Sequence, residues 1–344
     1  MMKTKTALII SVIVIALTAS FLLVGKNFAK EDNEKQIGLT DVFTLSSTDK
    51  LAYVQYKEGK PMLFISDVDG KSTELIDEKA VDYTISYVSF SPDGSRLLYI
   101  VNEKDLEYNT SQLYEYSLED YTSKILLEDE NSIITEAIYA PNGESLYLLG
   151  AGTFENYSPI APKNPHNFNI FQYHFSSNQI EQLTQLDVYS LGSLAVSKSG
   201  EKLYFVMDDV ADDAKPEDFF TSTLQIFELN LTDTSKITKF PTLNQDIHDF
   251  TFSPDEKEIV IQAVAVTNNK GIYMYELFSY NLETQKNQQL TYLNEYAGSP
   301  IYSSDGSDVY FIVDFKFPSN KSDYVIHRLD RKTNKLTQLK DLSL

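Results

Sequence analysis

Cysteine and tryptophan are both absent from the 344 residues, and histidine occurs only four times. Without cysteine there is no disulfide, no thiolate metal site, no cysteine nucleophile and no lipidated-cysteine anchor. An exported domain of this sequence therefore relies on its hydrophobic core alone, which the chain length allows. Positive charge is scarce as well, with 29 Lys and Arg against 50 Asp and Glu. Lys3, Lys5, Lys26 and Lys30 lie in the first 30 residues, where no acid occurs, so residues 31–344 carry a net charge of −25. A surface this acidic repels phosphate backbones and anionic lipid, which excludes nucleic acid as a partner. What the chain has in quantity is tyrosine and phenylalanine, 23 and 20 respectively. Few long helical patterns accompany them, and that combination favours strands.

The N-terminus begins with a short basic stretch, Met1 to Lys5, and continues from Ala7 to Val24 without a charge. Eighteen helical residues would span about 27 Å, close to the hydrocarbon thickness of a bilayer. A cleavable signal peptide fits less well. Cleavage after Ala19 would put Leu17 at the −3 position and leave Phe21, Leu22, Leu23 and Val24 on the mature end. The expectation is an uncleaved anchor over residues 1–26, a polar tether over 27–40 and a folded domain over 41–344. Lys3 and Lys5 direct the N-terminus inward and the domain to the extracytoplasmic side of the cell membrane.

The folded part is repetitive. Ser91-Pro92-Asp93-Gly94 precedes the apolar run Leu97-Leu98-Tyr99-Ile100. Related turns open at Ser47, Ala140, Ser197, Ser253 and Ser303, each followed by an apolar run. Proline suits the second position of a β-turn, aspartate bonds nearby backbone N–H groups, and glycine accepts positive φ. Each turn follows a short apolar strand such as Tyr87–Phe90, and two more strands come after it. We denote the four A, B, C and D. Leu51, Leu97, Leu146, Leu203, Ile259 and Val309 mark strand B, while Val68, Leu118, Phe175, Leu231, Leu282 and Leu329 mark the end of C. From each C mark to the next B mark the spacing is 27 to 29 residues; from B to C it ranges from 17 to 29. The B–C connection thus absorbs nearly all the length variation. Six such units predict an all-β fold, a six-bladed β-propeller of four-stranded antiparallel blades, preceded by one transmembrane helix.

These repeats resemble those of the TolB-like propellers, whose usual form is a Ser-Pro-Asp-Gly turn, an apolar strand and a later Leu-Thr. The likeness covers residues 40–342, and WD-type repeats fit poorly because no tryptophan is present. TolB carries a separate N-terminal α/β domain, whereas only a short tether separates the hydrophobic segment from the first repeat here. Related propellers precede serine-peptidase domains, but no Gly-x-Ser-x-Gly elbow occurs in this chain. Others are lyases with a histidine-held metal, yet His166, His174, His248 and His327 show no ligand spacing.

No residue set reads as an active site, so no catalytic residue, metal or cofactor is assigned. The expectation is a non-enzymatic binding or scaffold module, with an enzyme acting on cell-envelope polysaccharide or peptide as the alternative. A further alternative is the accessory or sensor subunit of a membrane complex. Binding is expected on the face that carries the variable B–C connections, because loops on a rigid scaffold are where recognition usually resides. The candidate apolar contacts are Phe154, Tyr157, His166, Phe219 and Phe220. Asp208, Asp209, Asp212 and Asp213 form an acidic rim suited to a basic protein or peptide partner.

Overall fold

The computed structural model describes residues 12–22, 24–25, 33–104, 111–129, 132–152, 165–210, 222–267, 269–319, 321–339 and 342. After a short 3₁₀ turn, Asn33–Lys35, the described chain is built from 24 strands in six consecutive four-stranded meanders. The first holds β1 (Gly38–Leu45), β2 (Lys50–Lys57), β3 (Lys60–Asp67) and β4 (Thr73–Glu78). The second holds β5 (Tyr83–Phe90), β6 (Arg96–Glu103), β7 (Ser111–Ser117) and β8 (Thr122–Asp129). The third holds β9 (Ser132–Tyr139), β10 (Ser145–Gly152), β11 (His166–His174) and β12 (Gln179–Gln182). The fourth holds β13 (Leu191–Val196), β14 (Lys202–Asp208), β15 (Leu224–Asn230) and β16 (Ile237–Lys239). The fifth holds β17 (Ile247–Phe252), β18 (Glu258–Thr267), β19 (Tyr273–Asn281) and β20 (Asn287–Gln289). The sixth holds β21 (Tyr296–Tyr302), β22 (Asp308–Asp314), β23 (Tyr324–Asp330) and β24 (Leu336–Gln338). All pairings within a meander are antiparallel, and a single parallel pairing of Tyr275 with Tyr296 joins the last two meanders.

The first strands of the meanders are ring neighbours in the order β1, β5, β9, β13, β17, β21, and β21 returns to β1. The second strands lie between two neighbouring sheets and are buried on both faces, which explains their unbroken apolar runs. The core sits between the sheets. Phe205 and Leu203 of the fourth meander, for example, pack with Leu149 and Ile170 of the third.

The turn between the first and second strands works as the sequence implies, with one addition. Asp93 accepts hydrogen bonds from Ser91 Oγ (2.6 Å) and from the Ser95 backbone N–H (3.0 Å). These bonds hold its carboxyl down at about 2. Ser91 Oγ meanwhile accepts the backbone N–H of Arg96 at 2.9 Å, which ties the start of the next strand to the turn. The same serine bridge recurs at Ser46, Ser197, Ser253 and Ser303. Gly94 and Gly306 adopt positive φ, and Asp49 and Glu256 occupy the same left-handed position in the two turns that lack glycine.

The N-terminal span is described only in part. Residues 12–22 and 24–25 are helical, and among the described residues no helix is long and apolar enough to cross a membrane. Residues 7–11 and 23 of the expected span lie outside the described residues. Val12, Ile13, Val14, Ile15 and Leu17 on this helix are all exposed, so the sheets do not cover it.

Candidate functional site

Each of the six inner strands carries a β-bulge at the same place, a few residues before the turn. The register shifts between Leu39 and Phe43, Ile85 and Tyr87, Gly192 and Ala195, Ile247 and Asp249, and Gly298 and Ile301. On β9 it shifts between Ile134 and Glu136. A bulge re-aims the side chains beside it. Here the re-aimed positions include Asp41, Tyr87, Glu136, Ser193 and Asp249.

Hydrogen bonds link these positions from strand to strand. Burial first, and then the negative charges of Glu136 on β9 and Asp249 on β17, raise the pKa of Tyr87 on β5. Glu136 accepts the backbone N–H groups of Ser193 and Leu194, one on each carboxylate oxygen and both at 2.7 Å. Ser193 holds a positive φ that presents those donors, and its hydroxyl donates to the backbone carbonyl of His248 at 3.3 Å. Burial nevertheless raises Glu136 to about 7, with the charge of Asp249 adding to the shift. Asp249 rises to about 6, again through burial, against hydrogen bonds from Ser193 and the Phe250 backbone N–H.

The cluster continues around the ring. Asp41 on β1 is raised by desolvation and by the charge of Asp314 at the end of β22. Tyr56, Tyr296 and Tyr324 are raised by burial first, with the charge of Asp41 adding to each. Asp314 accepts the backbone N–H groups of Lys316 (2.9 Å) and Asp323 (2.7 Å). Tyr296 packs at a tilt against Tyr275 and Phe317, at ring separations of 5.2 and 5.1 Å, and His248 meets Tyr275 edge-on at 4.9 Å. None of Asp41, Glu136, Asp249 and Asp314 forms an ion pair with Lys, Arg or His among the described residues. What results is an axial cluster of carboxyl groups and tyrosine rings whose carboxylates are held mainly by backbone N–H groups.

The residues expected to bind from the sequence fall differently. Phe154, Tyr157, Asp212, Asp213, Phe219 and Phe220 lie outside the described residues. His166 opens β11, pairs with Gly152 and stands edge-on to Tyr189 at 6.1 Å. Asp208 accepts a hydrogen bond from Ser222 Oγ at 2.8 Å, and Asp209 is paired with Lys239 at 2.6 Å. Half of the described rim is therefore already neutralised. His174 lies 3.8 Å from Glu181, His248 lies 3.1 Å from Asp246, and His327 is buried against Phe311 and Phe315. Among the described residues no group of three or more His, Cys, Asp or Glu is placed to hold a metal ion. The axial cluster escaped sequence reading because its members are spread over all six meanders. The only local signal is a polar residue four or five places before each turn.

Neither family models nor curated proteins match this chain. Solved structures do. TolB from Acinetobacter baumannii superposes with a TM-score of 0.59 at 15% identity, covering 94% of this chain and 68% of that one. The β-propeller domain of the Trilobed protease from Pyrococcus furiosus, described as having an open velcro topology, gives 0.52 at 14% identity, with 89% and 83% covered. An oligogalacturonate lyase in complex with manganese gives 0.52 at 11% identity, with 83% and 75% covered. At these identities the likeness establishes an all-β, TolB-like propeller fold. Its bearers include both enzymes and proteins not named as such.

Proposed function

We propose that this chain is a non-enzymatic binding module that holds a basic protein or peptide. The observation that carries the reading is the axial group of Asp41, Glu136, Asp249 and Asp314, which has no cationic partner among the described residues. A Lys, Arg or N-terminal ammonium reaching this cluster would meet carboxylates and tyrosine rings, both of which favour a cation. The six meanders are read as six blades, each from one continuous stretch. The exposed apolar helix near the N-terminus supports a tether to the cell membrane, with the propeller on the extracytoplasmic side. A pull-down from solubilised membranes with the full chain tests the reading. Capture should fall as salt rises and be lost in Asp41→Asn/Asp249→Asn. Capture that is indifferent to both would sink it.

One observation favours the enzyme alternative. Glu136 and Asp249, displaced to about 7 and about 6 beside Tyr87, form an arrangement able to move protons near neutral pH. Turnover of an envelope polysaccharide or peptide that vanishes in Glu136→Gln would replace the binding reading with this one.

A further inference from the structure

Between the first two meanders, at the ends of β3 and β7, lies a cavity of about 180 Å³. Its polar lining consists of Lys50, Ser66, Ser72, Glu74, Tyr116 and Tyr121. A water molecule occupies about 30 Å³ of liquid, so the space holds the equivalent of about six waters. This is too small for a drug-sized ligand and about right for one six-membered ring.

The lining is specific in its chemistry. Ser66 is 1% exposed, and its hydroxyl has no hydrogen-bond partner among the described residues. A buried hydroxyl in that state is stabilised by any ligand group that reaches it. Tyr116 is 5% exposed, and its hydroxyl donates to Glu74 Oε1 across a long 3.4 Å. Burial, then the charge of Glu74, raises its pKa to about 12, so it remains a donor at every physiological pH. Tyr121 is the reverse case, with 68% of its surface exposed. The tight turn between β7 and β8 holds it at a φ of 57° at the rim of the cavity. Both charges present are already engaged, Lys50 by Asp67 and Glu74 by Tyr116. A charged ligand gains little from them.

An exposed aromatic side chain at the rim and several hydroxyls in the lining, with the charges internally balanced, match a molecule that is apolar on one face and polyhydroxylated at its edge. We propose that this cavity binds a single neutral pyranose ring, stacked on Tyr121 and hydrogen-bonded to Ser66, Tyr116 and Glu74. The site is independent of the axial cluster, and its failure leaves that reading untouched.

Saturation-transfer NMR on the full chain tests it, with methyl β-D-glucopyranoside as the probe, glucuronate as the charged control and a glucose tetrasaccharide as the chain-end control. Transfer to the glucoside should be clear and to glucuronate weaker. Tyr121→Asn tolerates the left-handed backbone, so it should leave the melting temperature unchanged. It should weaken binding about fivefold, the scale of one lost aromatic contact. Ser66→Ala should weaken binding as well. Transfer confined to the terminal ring of the tetrasaccharide marks a glycan end as the source, and transfer to the free sugar alone marks a free sugar. No transfer to either, equal transfer in Tyr121→Asn, or glucuronate bound as well as the glucoside would overturn the proposal.

Discussion

Glu136 is the residue with the most conflicting demands. Its two oxygens complete the backbone of a neighbouring strand, yet burial disfavours the charge they carry. Its folded pKa of about 7 lies above the ordinary carboxyl value, so the native state binds the proton more tightly than the unfolded chain does. The stability this contributes is fully present below about pH 4.5 and is lost as pH rises through about 7. It is worth on the order of 2 kcal/mol once residual solvent contact is allowed for. Asp249 acts in the same direction over about pH 4 to 6. The protein should therefore melt at a higher temperature at pH 5 than at pH 8, and Glu136→Gln should flatten that slope. A slope unchanged in the variant would show that Glu136 does not titrate there. Gly150 poses a steric problem of similar size. A Cβ at this position would stand 2.8 Å from Phe171 Cε2, so Gly150→Ala should cost about 1–3 kcal/mol in denaturant unfolding.

Among the elements, the sheets are stitched to one another by buried tyrosines. Tyr139 on β9 donates to Glu115 of the preceding sheet at 2.8 Å, and Arg96 stacks over its ring at 4.8 Å while pairing with the same carboxylate. Tyr302 on β21 donates to Glu258 of the sheet before it, and Arg331 lies 2.7 Å from that carboxylate. Tyr139→Phe and Tyr302→Phe should each destabilise by about 1.5–3 kcal/mol, the scale of a hydrogen bond to a charged acceptor. Because the two latches share no partner, the double variant should be additive within about 0.5 kcal/mol. A large coupling in urea unfolding would mean that the sheets transmit strain around the ring.

For the whole molecule the question is closure. Asp49 bonds both the backbone N–H (3.0 Å) and the hydroxyl (3.1 Å) of Ser304, linking the first turn to the last. Those contacts are exposed, so Asp49→Ala should cost less than about 1 kcal/mol. Leu342 is buried with Phe43, Leu51 and Tyr310, and Leu342→Ala should cost about 2–3 kcal/mol. The working face is tested at the same scale. The two longest second-to-third strand connections span 153–165 and 209–223. Shortening both within 153–164 and 211–220 should leave the melting temperature nearly unchanged and abolish partner capture. Full retention of the partner would confine recognition to the axial cluster.

The repeat was legible from the sequence because it is a local device. A Ser-x-Asp turn satisfies its own backbone and side-chain groups wherever it occurs, and the apolar run beside it has to be covered on both sides. Residues 91–100 alone carry both instructions, and the constant spacing from each third strand to the next second strand repeats them. The inner strands accordingly end at the turns, at Leu45, Phe90, Tyr139, Val196, Phe252 and Tyr302. Asp208 and Asp209 show the limit of such reading. Adjacent in sequence and equally acidic, they have different partners, because Lys239 arrives from another strand. The axial cluster lay further out of reach. Tyr87, Glu136, Ser193 and Asp249 are about 50 residues apart in succession, and nothing in the chain between them says that they meet. Local hydrogen bonding and hydrophobic alternation fix each sheet on its own. Only the closing of the ring sets which polar side chains share one desolvated space, and desolvation is what gives them their unusual proton affinities.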